Sequence, residues 1–237
     1  LNKSDLADER VTVKWVEFFE KQGIKVIKLD SRQRSGMKSV NNAILEVCKE
    51  KIERDRKRGI INRPVRAMIV GIPNVGKSTF INSFAGKACA KTGNKPGVTK
   101  GKQWIRLNKT VELLDTPGIL WPKFDNEKIA NVLDKCLMNS GLTYSVHNGV
   151  IAIKQIEELS LKFIESVKND YAGIFTSRYD IEEKDDGVTM LGDIAIARGC
   201  LKKGGEPDYD KAAALIFDDF RSGKLGKISI EKPEDYI

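Results

Sequence analysis

One histidine, His147, and four scattered cysteines, Cys48, Cys89, Cys136 and Cys200, are all this chain offers toward a zinc site or a disulfide framework. No two of the cysteines are closely spaced, which argues against a Cys/His zinc site, and dispersed thiols fit a reducing cytoplasm. No apolar run approaches the ~20 residues that a membrane span requires. No signal peptide is visible, and there is neither an internal repeat nor a low-complexity tract. At 237 residues, 41% hydrophobic and 31% charged, the chain can build one large or two modest globular domains. It opens on Leu rather than Met, so its natural beginning is expected to lie upstream.

Acid is missing in a telling place. Residues 87–109 carry seven basic side chains (Lys87, Lys91, Lys95, Lys100, Lys102, Arg106 and Lys109) and no carboxylate. Residues 49–66 carry eight basic and three acidic ones, within a chain whose overall net charge is +8. A charge run is usually a solvated face, but an acid-free segment of this length favours a polyanionic partner such as nucleic acid.

Between those two stretches lies Gly71-Ile72-Pro73-Asn74-Val75-Gly76-Lys77-Ser78-Thr79. It follows Arg66–Val70, which reads as a short buried strand, and precedes Phe80–Phe84, which reads as a helix. That is the setting of a phosphate-binding loop. Gly71 and Gly76 let the backbone curl so that its N–H groups face one cavity, and the new helix adds the positive end of its dipole. Lys77 supplies a mobile cation for the outer phosphates, and Ser78 a hydroxyl for magnesium.

Asn2-Lys3-Ser4-Asp5 is a weak signal alone and a stronger one beside a phosphate loop. A carboxylate accepts two hydrogen bonds from the N1–H and 2-amino edge of guanine, while Asn and Lys brace the loop and cover the ring. Adenine would leave Asp5 unpaired, at a cost on the order of 1–3 kcal/mol.

Taken in order, residues 8–22 predict a helix capped by Asp8 and stopped by Gly23, with Val11, Trp15, Phe18 and Phe19 as its stripe. Ile24–Leu29 predicts a strand ending at Asp30-Ser31. One long helix is expected over 36–57, with Met37, Val40, Ile44, Val47 and Ile52 facing the core. Lys102–Leu107 and Thr110–Leu114 predict an antiparallel hairpin. It ends at Asp115-Thr116-Pro117-Gly118, where an aspartate at a strand tip can hold magnesium through water. Further helices are expected over 125–140, 151–169 and 211–221, the last amphipathic through Ala214, Leu215 and Phe217. Gly204-Gly205 marks a turn.

The motif order resembles that of a translation-factor-type GTPase, but rotated: Asn-Lys-x-Asp and the Ser loop precede the phosphate loop. Circular permutation of this kind is cheap when the original ends lie close together. The order, with Lys95-Pro96-Gly97-Val98-Thr99 and Asp115 through Lys123, resembles the bacterial ribosome biogenesis GTPase A family. The likeness extends to Arg198–Gly205 and Gly226-Lys227-Ile228-Ser229 near the end of the chain.

That resemblance implies an α/β fold, a circularly permuted Ras-like GTPase domain over 1–145, followed by a smaller all-α domain over 146–237. It implies GTP hydrolysis in late assembly of the large ribosomal subunit, with the precursor subunit and its rRNA as partners and neither membrane nor DNA. Carried over by motif, Asn2, Lys3 and Asp5 read the guanine, flanked by Asp30 and Ser31. Asn74, Val75, Gly76, Lys77, Ser78 and Thr79 wrap the phosphates, and Gly118 senses the γ-phosphate. Ser78 and Thr99 ligate Mg2+, with Asp115 acting through water, and Asn74 matches a position that related GTPases use for K+. Asp30 stands where many members have Asn, so its backbone is the expected contact.

No catalytic residue is identified in these 237 residues. Many GTPases place a glutamine after Asp-x-x-Gly to orient water; here those positions are Ile119 and Leu120, which cannot polarise it. Lys77 and Thr99 are expected to assist, and the resemblance points to a histidine in an N-terminal segment outside this sequence. Two parallel strands expected between the phosphate-loop strand and the strand before Ser31 are also outside it. Other readings remain: an ATPase on the same loop, which Asn2–Asp5 disfavours; a nucleotide-stabilised RNA-binding scaffold with incidental hydrolysis; or a permuted GTPase of small-subunit or mitochondrial ribosome assembly.

Overall fold

The computed structural model describes residues 1–61, 63–71, 75–90, 103–107, 110–116, 146–147, 150–151 and 156–236. The chain forms two compact units: Leu1–Asp5 with Trp15–Trp121, and Leu6–Lys14 with Pro122–Ile237. Leu6–Lys14 therefore groups with the C-terminal half, although it lies among N-terminal residues. The expected junction near residue 145 falls outside the described residues.

Helix α1 spans Glu9–Lys21. Asp8 caps it: the carboxylate accepts from Arg10 N–H at 2.8 Å and the carbonyl from Thr12 N–H at 2.9 Å. Gly23, at φ 77°, closes it. Among the described residues, Ile24–Leu29 pairs in no strand ladder, contrary to expectation. Ile24 N–H donates back to the Phe19 carbonyl at 3.1 Å, while Leu29 N–H donates to the Leu1 carbonyl at 2.9 Å and its own carbonyl accepts from Ser4 N–H at 3.3 Å.

The single helix expected over 36–57 is two. α2 spans Met37–Val47 and α3 spans Lys49–Lys57, with Cys48 at φ −95°, ψ 7° between them. Met37 is buried, but Val47 is 72% exposed, so it does not face the core as expected. No residue of the charge-dense α3 is buried.

Among the described residues, three strands make the sheet of the first unit: β1 (Val65–Ile69), β2 (Gln103–Arg106) and β3 (Val111–Asp115), in the order β1-β3-β2. β1 runs parallel to β3, and β2 antiparallel to it as the expected hairpin. Helix α4 (Lys77–Ala85) packs on β3, and Ile81, Ile105, Val111 and Leu113 fill the contact. The strand before the phosphate loop is not buried throughout. Val65 is covered, whereas Met68 is 61% exposed, because strand side chains alternate between faces and the described residues cover one of them. Among the described residues, no strand pairs with the other edge of β1.

In the second unit, the short strands β4 (Val146–His147) and β5 (Val150–Ile151) pair antiparallel. β-Branched Val150 and Ile151 thus lie in a strand, and helix α5 begins later than expected, spanning Ile156–Asp170. α6 (Ile174–Tyr179), α7 (Gly187–Ala197) and α8 (Tyr209–Ser222) complete the unit. α5, α7 and α8 pack on one another around Phe163, Ile164, Met190, Ile194, Ile216 and Phe217. The buried face of α8 is Ala212, Ala213, Ile216 and Phe217, while Ala214 and Leu215 are half-buried.

Candidate nucleotide site

β1 delivers the chain to Gly71, and α4 begins again at Lys77. Gly76, at φ 96°, turns the loop into the helix, and its carbonyl accepts the first helical bond from Phe80 N–H at 2.8 Å. Lys77 Nζ rests on the Gly71 carbonyl at 2.9 Å. Burial lowers the pKa of this amine, against the opposing charge of Asp115. A half-buried cation favours an anion as its neighbour.

The guanine loop meets the phosphate loop through Asn2. Its Nδ2 donates to the Val75 carbonyl at 3.0 Å, and its Oδ1 accepts from Ser31 N–H at 3.2 Å and from the Ser31 hydroxyl at 2.8 Å. One amide therefore joins three motifs that lie 29 and 73 positions apart in sequence. Lys3 sits at φ 59°, a backbone conformation uncommon for a non-glycine residue. Asp5 is half-buried, and among the described residues nothing pairs with its carboxylate.

Asp30 and Ser31 are both buried. The Asp30 carboxylate turns into its own loop, accepting from Arg32 N–H at 2.8 Å and from Gln33 N–H at 3.4 Å. That bonding is the Asx turn for which Asp serves as well as Asn. The Ser31 carbonyl accepts from the Ser83 hydroxyl of α4.

β1 and β3 set the far side of the site. Their register places Ile69 opposite Asp115, and Thr116 Oγ1 donates to the Ile69 carbonyl at 2.6 Å. Asp115 is 2% exposed at the tip of β3. Ser78 and Thr79 occupy the first turn of α4. A hydroxyl and a carboxylate are hard oxygen donors, the kind of set that magnesium takes. Asn74, Thr99, Gly118, Ile119 and Leu120 lie outside the described residues.

Sequence reasoning missed Asn82, Ser83 and Thr116. Asn82 Oδ1 accepts from Cys89 N–H and Ala90 N–H, both at 2.8 Å, and its Nδ2 donates to the Ala90 carbonyl at 2.8 Å. This fixes the chain where it leaves α4. The available signal was an Asn near a helix end, where its amide competes for backbone groups.

These features can be set beside known proteins. A family profile described as a 50S ribosome-binding GTPase matches residues 66–177. Ribosome biogenesis GTPase A of Bacillus licheniformis is 42% identical over 99% of this chain and 80% of its own length. This chain belongs to the ribosome biogenesis GTPase A family. The Thermotoga maritima member is 36% identical over 99% of this chain and 76% of its own. The fold agrees: a GDP-bound TM YlqF and a GNP-bound YlqF from T. maritima each share 34% identity over 99% of this chain, with TM-scores of 0.62 and 0.61. They are covered over 82% and 80% of their own lengths. As a member of the family, the chain is a GTPase of ribosome biogenesis on a circularly permuted α/β fold. Among the described residues, no helix is long and apolar enough to cross a membrane.

Proposed function

We propose that this GTPase acts in the cytoplasm in late maturation of the large ribosomal subunit, binding the precursor particle and its rRNA in a nucleotide-dependent way. The observation that carries the reading is the family profile, whose description names 50S ribosome binding. Supporting it is α3, a helix whose last turn holds Arg54, Arg56 and Lys57 and none of whose residues is buried. Such a face suits a phosphate backbone. On this reading residues 1–145 form the GTPase domain and the helical remainder contributes to rRNA contact.

Within the site, Asn2, Lys3 and Asp5 read guanine, and Asn2 keeps that loop against Ser31 and Val75. Asp30 and Ser31 support the base through their loop backbone. Asn74 through Thr79 enclose the phosphates, and Gly118 follows the γ-phosphate. Lys77 exchanges the Gly71 carbonyl for phosphate oxygens, whose negative charge favours the protonated amine against the burial that lowers its pKa. Ser78, Thr99 and, through water, Asp115 would hold Mg2+, and Asn74 would help to hold K+. When bound, Mg2+ neutralises charge on the phosphate oxygens. Thr99 lies within the acid-free basic stretch, so ordering it on GTP would also shape the rRNA-binding surface.

Co-sedimentation with large subunits tests this, comparing GDP with a non-hydrolysable GTP analogue. Tighter association with the analogue, weakening steeply as salt rises, is expected. Equal affinity in both states would remove the switch. Competition by ATP against bound GTP tests the base specificity, with no displacement expected.

A further inference from the structure

The motif Gly226-Lys227-Ile228-Ser229, noted in the sequence without a task, meets the residues that directly follow the guanine loop. Ile228 N–H donates to the Leu6 carbonyl at 3.3 Å, and Asp8 N–H donates to the Ser229 hydroxyl at 3.1 Å. The Tyr171 hydroxyl secures Ser229 from behind, accepting from its N–H at 3.0 Å and donating to its carbonyl at 3.1 Å. Further along, Lys14 pairs with Glu234 at 2.7 Å. Asp8 is buried, and Arg10 neutralises its carboxylate at 3.0 Å.

Two glycines fit this arrangement. A Cβ on Gly223 would stand 2.8 Å from Leu6 Cδ2, and one on Gly226, at φ 129°, would stand 3.1 Å from Ile174 Cδ1. Leu6–Lys14 is therefore built into the helical unit, while Asn2–Asp5, one peptide bond away, carries the contacts to Ser31 and Val75. Lys3 holds a left-handed backbone between those two anchorages.

We propose that Ser229, Ile228 and Tyr171 are positioning residues for guanine recognition: by fixing Leu6–Asp8 they hold the downstream end of the loop that aims Asp5. The proposal rests on the reading of Asp5 as the guanine contact. By linkage, guanine nucleotide in turn strengthens the docking of Leu6–Asp8 onto Ile228 and Ser229. The hydrogen bond from the guanine 2-amino group depends on where the Asp5 carboxylate points. Inosine nucleotides lack that group, so the preference for GDP over IDP reports the aim of Asp5 rather than general integrity.

The test measures GDP and IDP affinity by calorimetry on the full chain and on Ser229→Ala, Ser229→Thr and Tyr171→Phe. Ser229→Ala and Tyr171→Phe should each weaken GDP binding about fivefold or more and shrink the GDP-to-IDP ratio. Ser229→Thr, which keeps the hydroxyl, should restore both. Should Ser229→Ala fail to fold, Tyr171→Phe removes one oxygen and keeps the ring. A folded variant with unchanged affinity and ratio overturns the proposal. Asp5→Asn separates the two levels, since it should move preference from GTP toward XTP. If it does not, the guanine reading fails and the proposal falls with it. If it does while the ratio stays fixed in Ser229→Ala and Tyr171→Phe, only the positioning role falls.

Discussion

The side-chain amide of Asn2 occupies the space that a Cβ on Gly76 would need: the two would be 2.6 Å apart. Gly76 is thus required twice, once for its φ of 96° and once for the room it leaves to Asn2. The phosphate loop and the guanine loop are shaped against each other, not only against the nucleotide.

Gly76→Ala should accordingly damage both. We expect a loss of about 1–3 kcal/mol in stability from the left-handed backbone alone, with GDP binding reduced beyond what that loss explains. Urea unfolding and fluorescent-nucleotide titration of the same preparation measure the two effects.

Asn2→Ala removes three hydrogen bonds, to Val75 and to Ser31. At about 0.5–1.5 kcal/mol each, their loss should weaken guanine nucleotide binding by tenfold or more. Equilibrium titration with GDP measures it, and unaltered binding would remove Asn2 from the site.

Asp219, 2% exposed, pairs with Arg178 at 2.8 Å. Asp219→Ala strips a partly buried guanidinium of its partner and should destabilise the helical unit by about 3 kcal/mol. Chemical denaturation followed by far-UV circular dichroism gives the value.

Tyr179 lies fully buried beside that pair, with the Arg198 guanidinium 5.3 Å from its ring centroid. Burial, and next the Asp219 charge, raise the phenol's pKa above its ordinary value of 10.0. A folded-state pKa raised in this way contributes stability that is whole below about pH 10 and is lost as pH rises further, because the unfolded chain gives up the proton first. Tyr179→Phe should flatten the alkaline fall in stability. Denaturation midpoints at pH 8 and pH 10.5, compared with those of the parent chain, test it.

Much of the site was legible because its chemistry is local. Glycine spacing, a lysine and a hydroxyl at the start of a helix mark the phosphate loop wherever it stands, and an aspartate after an apolar run marks the tip of β3. Partnerships across the chain were not legible. Nothing near Asn2 says that its amide reaches Val75, and nothing near Ser83 says that it holds the Ser31 carbonyl. The break at Cys48 has no proline or glycine to announce it. Helix α7 was overlooked because it starts on Gly187 and carries Gly192, although Asp186 caps it by accepting from Thr189 N–H at 2.9 Å. The run Ile24–Leu29 carried the right residues for a strand, but among the described residues no strand pairs with it. Pattern reports what a segment prefers, while a ladder needs a second segment to answer it.

The pairing of Ile69 with Asp115, fastened by Thr116 on the Ile69 carbonyl, has a bearing on how members of this family can diverge. Side chains alternate between the faces of a strand, so deleting one residue within β3 would turn Asp115 away from Lys77 and draw it back by about 3.3 Å. Inserting one in β1 would displace Gly71 relative to Asp115 by the same step. Substitutions in these two strands can accumulate, but changes of length within them cannot. Drift in length belongs to the segments joining the strands, and the distance in residues from Val65 to Lys77 should be far more uniform among functional relatives than the distance from Lys77 to Gln103.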